Sequence, residues 1–383
     1  MLGANLKIGL VLDDSLDKTD GVQQYVLALG EWLSAQGHEV HYLVGETHRH
    51  DIPRIHSLSK NVKVRFNRNR LSMPLPAKRA QIRDLLRQES FDVLHVQMPY
   101  SPWLAGRIIR AAEPQTAVVG TFHIAAHSAL VARSARLLAI WQHWSLKRFD
   151  KIVSVSKAAA TFAAAAFGIK STILPNVIDY QRFSKAKPFS KYQDGVPTIL
   201  FLGRLVSRKG CLMLLEAVNQ LTRSDPDLQF RVLICGAGPL ETSLKHYVTS
   251  HNLSPRVEFT GFVSEADKPR YYASADIAVF PSTGGESFGI VLVEALASGR
   301  TAVLAGDNAG YRSVLSANRQ LLFSTLDKTE LVNKLRLLLT NEAARKSVAI
   351  WGAEFAKQFD TAKVGDQLLK LYKAALLKRR GVQ

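Results

Sequence analysis

The chain has 383 residues, 47% hydrophobic and 21% charged. That is too long for one compact core, which stops growing near ~250–300 residues, and too apolar for a disordered or low-complexity protein. Fifty Lys plus Arg against 32 Asp plus Glu leaves a net charge of +18, which favours partners rich in negative charge.

Short apolar runs alternate with longer helical patterns along the whole chain. Residues 6–12 read as a buried strand and 23–35 as the helix behind it, with further strands expected at 40–44, 62–66, 93–96, 117–121 and 151–155. The stretch 179–197, polar and with two prolines and a glycine, reads as a linker. Strands then resume at 198–202, 230–235, 257–259, 277–280 and 301–304, and a helical pattern closes the chain at 364–380. Continuous apolar strands separated by helices imply parallel sheets covered on both faces. The expected fold class is therefore α/β, with two doubly wound, Rossmann-like domains facing across a cleft. Their expected bounds are 1–185, rejoined by the helix in 360–383, and 190–358.

The apolar stretch 8–12 is too short for a secretory leader and runs into Asp13 and Asp14. No run of 18 apolar residues is present, so no spanning helix is expected. Cys211 and Cys235 are too few for a disulfide framework or a zinc cluster and read as small buried hydrophobes. The expected setting is the reducing cytoplasm, with any membrane contact peripheral, on the inner face.

Open parallel sheets bind ligands beyond the carboxyl ends of their strands. Five motifs fall there. Gly284-Gly285-Glu286-Ser287-Phe288-Gly289 follows the strand at 277–280 and opens a helix, expected to start near Phe288, that carries Glu294-Ala295. Main-chain amides at such a helix start suit a phosphate. Glu286 and Glu294 are separated by roughly 9 Å along the axis at ~1.5 Å per residue, which suits an elongated ligand held at two points. The bland reading is one helix-end carboxylate and one buried, satisfied one. Gly203-Arg204-Leu205-Val206-Ser207-Arg208-Lys209-Gly210 follows the strand at 198–202. Arg204 brings a planar fork and Lys209 a point charge, a pair suited to a diphosphate. Gly236-Ala237-Gly238-Pro239 alone is a weak glycine turn, and Asp20-Gly21-Val22-Gln23 joins the first strand to its helix. Gly120-Thr121-Phe122-His123 leaves His123 at a strand's carboxyl end. There is no Walker A sequence. Asp225-Pro226-Asp227 lies between a helix and a strand and reads as a turn, so no metal site is expected.

Together, Gly203-Arg204 with Lys209-Gly210, Phe259-Thr260-Gly261-Phe262-Val263, Pro281-Ser282 with Glu286-Ser287-Phe288-Gly289 and Glu294-Ala295, and Gly21-Val22-Gln23 resemble the GT-B-fold glycosyltransferases of family 4. The subgroup most similar is the phosphatidylinositol mannosyltransferases, through Gly21-Val22-Gln23, Thr121-Phe122-His123 and Phe280-Pro281-Ser282. The resemblance implies metal-independent transfer of a hexose, with retention at the anomeric carbon, from a nucleotide diphosphate sugar. GDP-mannose is the donor it favours, as a substrate and not a cofactor, with a glycan or lipid such as phosphatidylinositol as acceptor. By the same resemblance Arg204 and Lys209 hold the diphosphate, Glu286 the sugar hydroxyls and Glu294 the ribose. The amides of Phe288, Gly289, Ile290 and Val291 support the phosphates, Val263 and Lys268 sit at the base, and Gly21 approaches the diphosphate. His123 lies near the reacting carbon, and Gln23 and Asn67 touch the acceptor. Two departures stand out. Asp20-Gly21 occupies the place of two glycines, and Gln97-Met98-Pro99 that of the mannosyltransferases' His-Glu-Pro.

Between Lys60 and Arg87 nine basic residues face one acidic residue, Asp84. Arg79, Arg83 and Arg87 recur every fourth residue beside Ile82, Leu85 and Leu86, and Arg133, Arg136, Lys147 and Arg148 interleave with Trp141 and Trp144. Basic helices with tryptophan suit an anionic membrane surface, and a solvated helix face is the plainer reading. Two other functions stay in view: a non-catalytic sugar-nucleotide-binding homologue, and a nucleic-acid-binding protein. No helix-turn-helix, zinc-finger or RNA-binding signature supports the latter, so nucleic acid is not an expected partner.

Overall fold

The computed structural model describes residues 5–17, 20–66, 69–98, 101–125 and 144–381, with the side chains of 63–66 and 69–74 left aside. The chain divides into two units, Met1–Val177 with Thr361–Gln383, and Ile178–Asp360.

The first unit carries β1 (Lys7–Leu12), β2 (Glu39–Val44), β3 (Ile55–Ser57), the hairpin strands β4 (Asn61–Phe66) and β5 (Asn69–Pro74), β6 (Val93–Gln97), β7 (Ala117–Phe122), β8 (Lys151–Ser154) and β9 (Thr172–Ile173). Seven of these form a parallel sheet in the order β3-β2-β1-β6-β7-β8-β9, and β4 and β5 pair antiparallel by themselves. Because side chains alternate along a strand, its core splits by residue parity. Leu10 and Leu12 of β1 and Tyr42 and Val44 of β2 pack with Tyr25, Val26, Leu29 and Leu33 of the helix Gly21–Ala35 and with Leu368, Tyr372 and Leu376 of the helix Thr361–Arg380. Val11 and Leu43 point the other way, onto Ile82 and Leu86 of the helix Arg79–Glu89 and Ile108 and Ile109 of the helix Leu104–Ala111. Each such Leu or Ile, fully buried, stabilises by ~1.5–3 kcal/mol.

The second unit holds β10 (Thr198–Leu202), β11 (Arg231–Cys235), β12 (Val257–Gly261), β13 (Ile277–Phe280), β14 (Ala302–Gly306) and β15 (Leu322–Phe323), all parallel, in the order β12-β11-β10-β13-β14-β15. Both sheets are doubly wound, as the alternating sequence pattern implies. Strand order reverses direction at β1/β6 and at β10/β13, the two switch points. Cys211 and Cys235 are buried free thiols whose pKa burial pushes up to about 12.

One expectation needs correction. The stretch 179–197 is not an open linker, and the first unit ends at Val177 rather than at 185. Asp179 caps a short helix, Tyr180–Ser184, by accepting the Arg182 N–H, and Phe183 and Tyr192 are buried. Its apolar residues are single anchors without period, so no pattern announces them. Where the chain crosses back, the Ile178 N–H donates to the Phe359 carbonyl at 3.0 Å and the Tyr180 N–H to Asp360 Oδ1 at 3.1 Å.

The terminal helix is tied to the first sheet by a polar contact inside that core. Tyr372 Oη donates to His95 Nδ1 at 2.7 Å, which leaves His95 Nε2–H to donate to Thr121 Oγ1 at 2.6 Å. All three residues are fully buried. Tyr372→Phe strands the His95 acceptor and should cost about 1–3 kcal/mol. Urea unfolding of the variant should show that loss as a lower midpoint at unchanged slope.

Candidate functional site

In the second unit the loops after β10 and β13 leave neighbouring strands at the switch point and are stitched together. The Thr283 N–H donates to the Arg208 carbonyl at 2.9 Å, and Ser282 Oγ lies 3.1 Å from the same oxygen. Gly210 holds φ +73°, and a methyl group there would overlap the Pro281 carbonyl, so only glycine lets the two loops close. Gly310 is needed for space: a side chain would collide with the main chain of Glu286.

This closure places Glu286 against Lys209. Glu286 Oε1 lies 2.9 Å from Lys209 Nζ and 2.7 Å from Arg208 Nη1, and accepts a hydrogen bond from Ser282 Oγ at 2.9 Å. Burial pushes the Glu286 carboxyl up, but the Lys209 and Arg208 charges beside it outweigh that, and its pKa lies below the usual range. Arg204 is exposed in the loop directly after β10. Arg208 and Ser282 join this cluster around Glu286, though the sequence did not single them out. Arg208 stood in the basic motif, but nothing there told its direction from that of Lys209.

The helix after this loop is Ile290–Ala297, starting two residues beyond the expected Phe288. Phe288 instead turns inward, buried against the Phe359 ring at 5.6 Å, and Gly289 caps the helix at φ +103°. The first-turn amides, those of Ile290 and Val291 among them, lack intrahelical acceptors by construction. Glu294, one turn further in, is only 2% exposed. Its Oε1 lies 2.7 Å from Lys268 Nζ and its Oε2 accepts from Tyr272 Oη at 3.1 Å. Burial would depress the Lys268 ammonium, yet Glu294 and Glu265, the latter at 2.8 Å, raise it above its ordinary value. Lys268 is thus a buried ion-pair residue at the start of the helix Lys268–Ala273, while Val263 is half-buried in the loop after β12.

The first unit holds the remaining candidates. Gly21 is exposed at the start of its helix. Gln23 is buried, and its amide donates to Asp14 Oδ2 at 3.2 Å and to the Ser15 carbonyl at 3.3 Å, bracing the loop after β1. Asp13, also missed, is buried there. It accepts from Ser101 Oγ and from the Ala105 N–H, and burial raises its carboxyl to about 6. His123 follows β7, buried, with Nε2 2.7 Å from Gln97 Oε1, and burial lowers its pKa to about 3. Asn67, Arg133, Arg136 and Trp141 lie outside the described residues.

Arg79, Arg83 and Arg87 stand exposed on the helix Arg79–Glu89, opposite its buried Ile82 and Leu86. That helix packs on Leu104–Ala111, whose Arg110 Nη1 donates to Ser145 Oγ at 3.0 Å. Next to Ser145, Trp144 is 78% exposed, with Lys147 Nζ 5.8 Å from its ring centre. Among the described residues no helix is long and apolar enough to cross a membrane. His41, His56 and Glu89 gather at the opposite edge of the first sheet, with ligand atoms within 4.8 Å of one another. The imidazoles hydrogen-bond each other at 2.9 Å, and Glu89 pairs with Lys7 at 3.0 Å, so these donors satisfy one another. Asp225 ends the helix Cys211–Ser224 and pairs with Arg336 at 2.9 Å, a turn carboxylate as expected.

Residues 19–182 match the model of Glycosyltransferase Family 4, and residues 183–354 that of Glycosyl transferases group 1. The phosphatidyl-myo-inositol mannosyltransferase of Mycobacterium leprae is 31% identical over 382 residues, 99% of each chain. The chain belongs to glycosyltransferase family 4. This glycosyltransferase is also 32% identical, over 96% of its length and 93% of the relative's, to the phosphatidyl-myo-inositol mannosyltransferase of Mycolicibacterium smegmatis. Among solved structures, a glycosyltransferase from Rickettsia africae superposes with a TM-score of 0.77 at 18% identity, covering 97% of this chain and 99% of the other. HepE of Anabaena, solved in complex with UDP, superposes at 0.75 with 18% identity, covering 96% and 100%. These two likenesses carry the GT-B fold.

The Lys268–Glu294 pair gives a stability test of the glycosyltransferase. Lys268→Ala leaves a buried carboxylate unpaired and should destabilise by about 3–5 kcal/mol, whereas Lys268→Met with Glu294→Gln should recover most of that loss. Chemical denaturation of the two variants side by side checks it.

Proposed function

We propose that this glycosyltransferase moves a hexose, mannose from GDP-mannose, to a lipid acceptor such as phosphatidylinositol, with retention of anomeric configuration and without a metal ion. The observation that carries this reading is the Glu286–Lys209 contact at 2.9 Å, at the carboxyl ends of β10 and β13. It sets a sugar-hydroxyl acceptor beside a cation able to reach a diphosphate. The relatives named as phosphatidyl-myo-inositol mannosyltransferases, matched over nearly the full chain, support the choice of sugar and acceptor.

Glycosyl transfer passes through an oxocarbenium-like state while negative charge builds on the departing diphosphate. Arg204, Lys209 and the amides of Phe288 to Val291 would stabilise that charge, and fixed positive groups of this kind do more for the rate than anything else in such a site. Glu286 would orient the sugar hydroxyls, and Glu294, already fixed by Lys268 and Tyr272, would take the ribose hydroxyls on its remaining lone pairs. Val263 and Lys268 would border the base. Retention without a covalent sugar–enzyme intermediate then requires attack on the face the diphosphate leaves.

Arg204→Ala and Lys209→Ala should each lose roughly 2–4 kcal/mol of transition-state stabilisation. Transfer within threefold of wild type in both variants would overturn the assignment. In titration calorimetry Glu286→Gln should keep nucleoside diphosphate affinity while losing rate, and Glu294→Gln should weaken nucleotide and nucleotide sugar alike. Activity should survive chelators throughout.

The lipid acceptor motivates a surface role for the first unit. Residues 1–187 hold 25 basic and 14 acidic residues. Near an anionic membrane each basic residue contributes about 1 kcal/mol, fading within a Debye length of ~8 Å at physiological salt. Vesicles rich in phosphatidylglycerol should float the wild type at moderate salt. Replacing Arg79, Arg83 and Arg87 by Gln should release it with nucleotide affinity intact. A wild type that stays behind even at low salt would point to a soluble acceptor.

A further inference from the structure

The carboxyl ends of β6 and β7 form two polar rungs on one face of the first sheet. Gln97 is register partner to Thr121, so Gln97 and His123, two residues further along, point to the same side. The lower rung is the His95–Thr121 bond, fixed from outside by Tyr372. The upper rung is the bond between His123 Nε2 and Gln97 Oε1 at 2.7 Å. An amide oxygen only accepts, so the ring nitrogen facing it must carry the proton. Neutral imidazole has one N–H, and Nδ1 is left as a bare acceptor. The other half of the Gln97 amide is unusual: Nε2 is buried and has no hydrogen-bond partner, in a side chain that is 0% exposed. An unpaired buried amide donor costs about 1–3 kcal/mol and calls for a role.

We propose that Gln97 is a positioning residue for His123. It fixes the ring as the Nε2–H tautomer, so that Nδ1 accepts the hydrogen of a substrate hydroxyl while the spare Gln97 Nε2–H donates to the same polar group. The inference rests on the glycosyl-transfer reading only for the identity of that hydroxyl. Burial keeps His123 neutral, at about 3, and the titratable groups facing it among the described residues cannot charge it. Tyr25, whose ring meets it edge-on at 5.1 Å, is held protonated by burial, and His95 is itself neutral at about 3. A glutamate at 97 would instead pull a second proton onto the ring. An amide at this place therefore keeps the site uncharged and suited to a neutral hydroxyl rather than an anion.

The test reads the ring directly, with the full chain labelled with ¹⁵N-histidine and no substrate present. The His123 signals are assigned by their loss in His123→Asn. In the wild type a single Nε2–H tautomer should appear, with a slowly exchanging ring proton and no titration between pH 8 and 5. Gln97→Met should lose the slow exchange and average the two nitrogen shifts. Gln97→Glu should keep the ring proton but raise the pKa by ~2 units or more. Its kcat should gain an acid limb between about pH 4 and 6, with the donor KM within twofold, a change that a purely structural role for Gln97 would not produce. Thermal melting of both variants guards against misfolding. Sugar-nucleotide hydrolysis assayed beside transfer separates the sources of the hydroxyl. In Gln97→Met a tenfold loss of both marks a donor hydroxyl, and loss of transfer alone marks the acceptor's. A wild-type Nδ1–H tautomer, or a ring signature unchanged in Gln97→Met, overturns the proposal. A correct tautomer without detectable transfer would instead count against the glycosyl-transfer reading and leave the role of Gln97 standing.

Discussion

Parallel strands release all their following loops at one edge, and that constraint organises this molecule. In the second unit β10 and β13 are neighbours although about 75 residues separate them in sequence, because the winding changes direction between them. Two loops that share no local sequence relation therefore meet, and the meeting is what sets Lys209 and Arg208 on Glu286. Were either strand placed one position away, the carboxylate would be buried with no cation beside it, a loss of several kcal/mol. The same logic in the first unit gathers Asp13, Gln97 and His123 from β1, β6 and β7.

How much of this could be read from residues alone follows from what each pattern encodes. Strand alternation and apolar runs report burial, so the two sheets and the helix ending at Arg380 were legible. The helix start was displaced because Ser287-Phe288 looks like a first turn. Gly289, in a left-handed conformation, delays it by two residues and frees Phe288 for the core. Short edge strands such as β3, β9 and β15 carry too few residues for any period.

The candidate site residues divide in the same way. Glu286, Lys209 and His123 were visible because their place after a strand is encoded locally. Their partners were not. That Glu294 would lie against Lys268 and Tyr272, or Gln97 against His123, depends on distances across neighbouring strands and helices. The clearest signal overlooked was Asp13, an acidic residue that directly follows the unbroken apolar run 8–12 of β1.

The chain enters the second unit at Ile178 and leaves it at Asp360, so the first unit is assembled from two stretches that lie on either side of the second in sequence. This orders events during synthesis. When Asp360 emerges from the ribosome the second unit is complete. The first still shows the face of its sheet that Leu368, Tyr372 and Leu376 will cover, with His95 lacking its tyrosine. The nascent chain therefore carries an open apolar groove until the helix Thr361–Arg380 has been made and can cover it. A truncation of a few terminal turns would remove little of the protein's mass and yet leave its earliest-made half permanently unfinished.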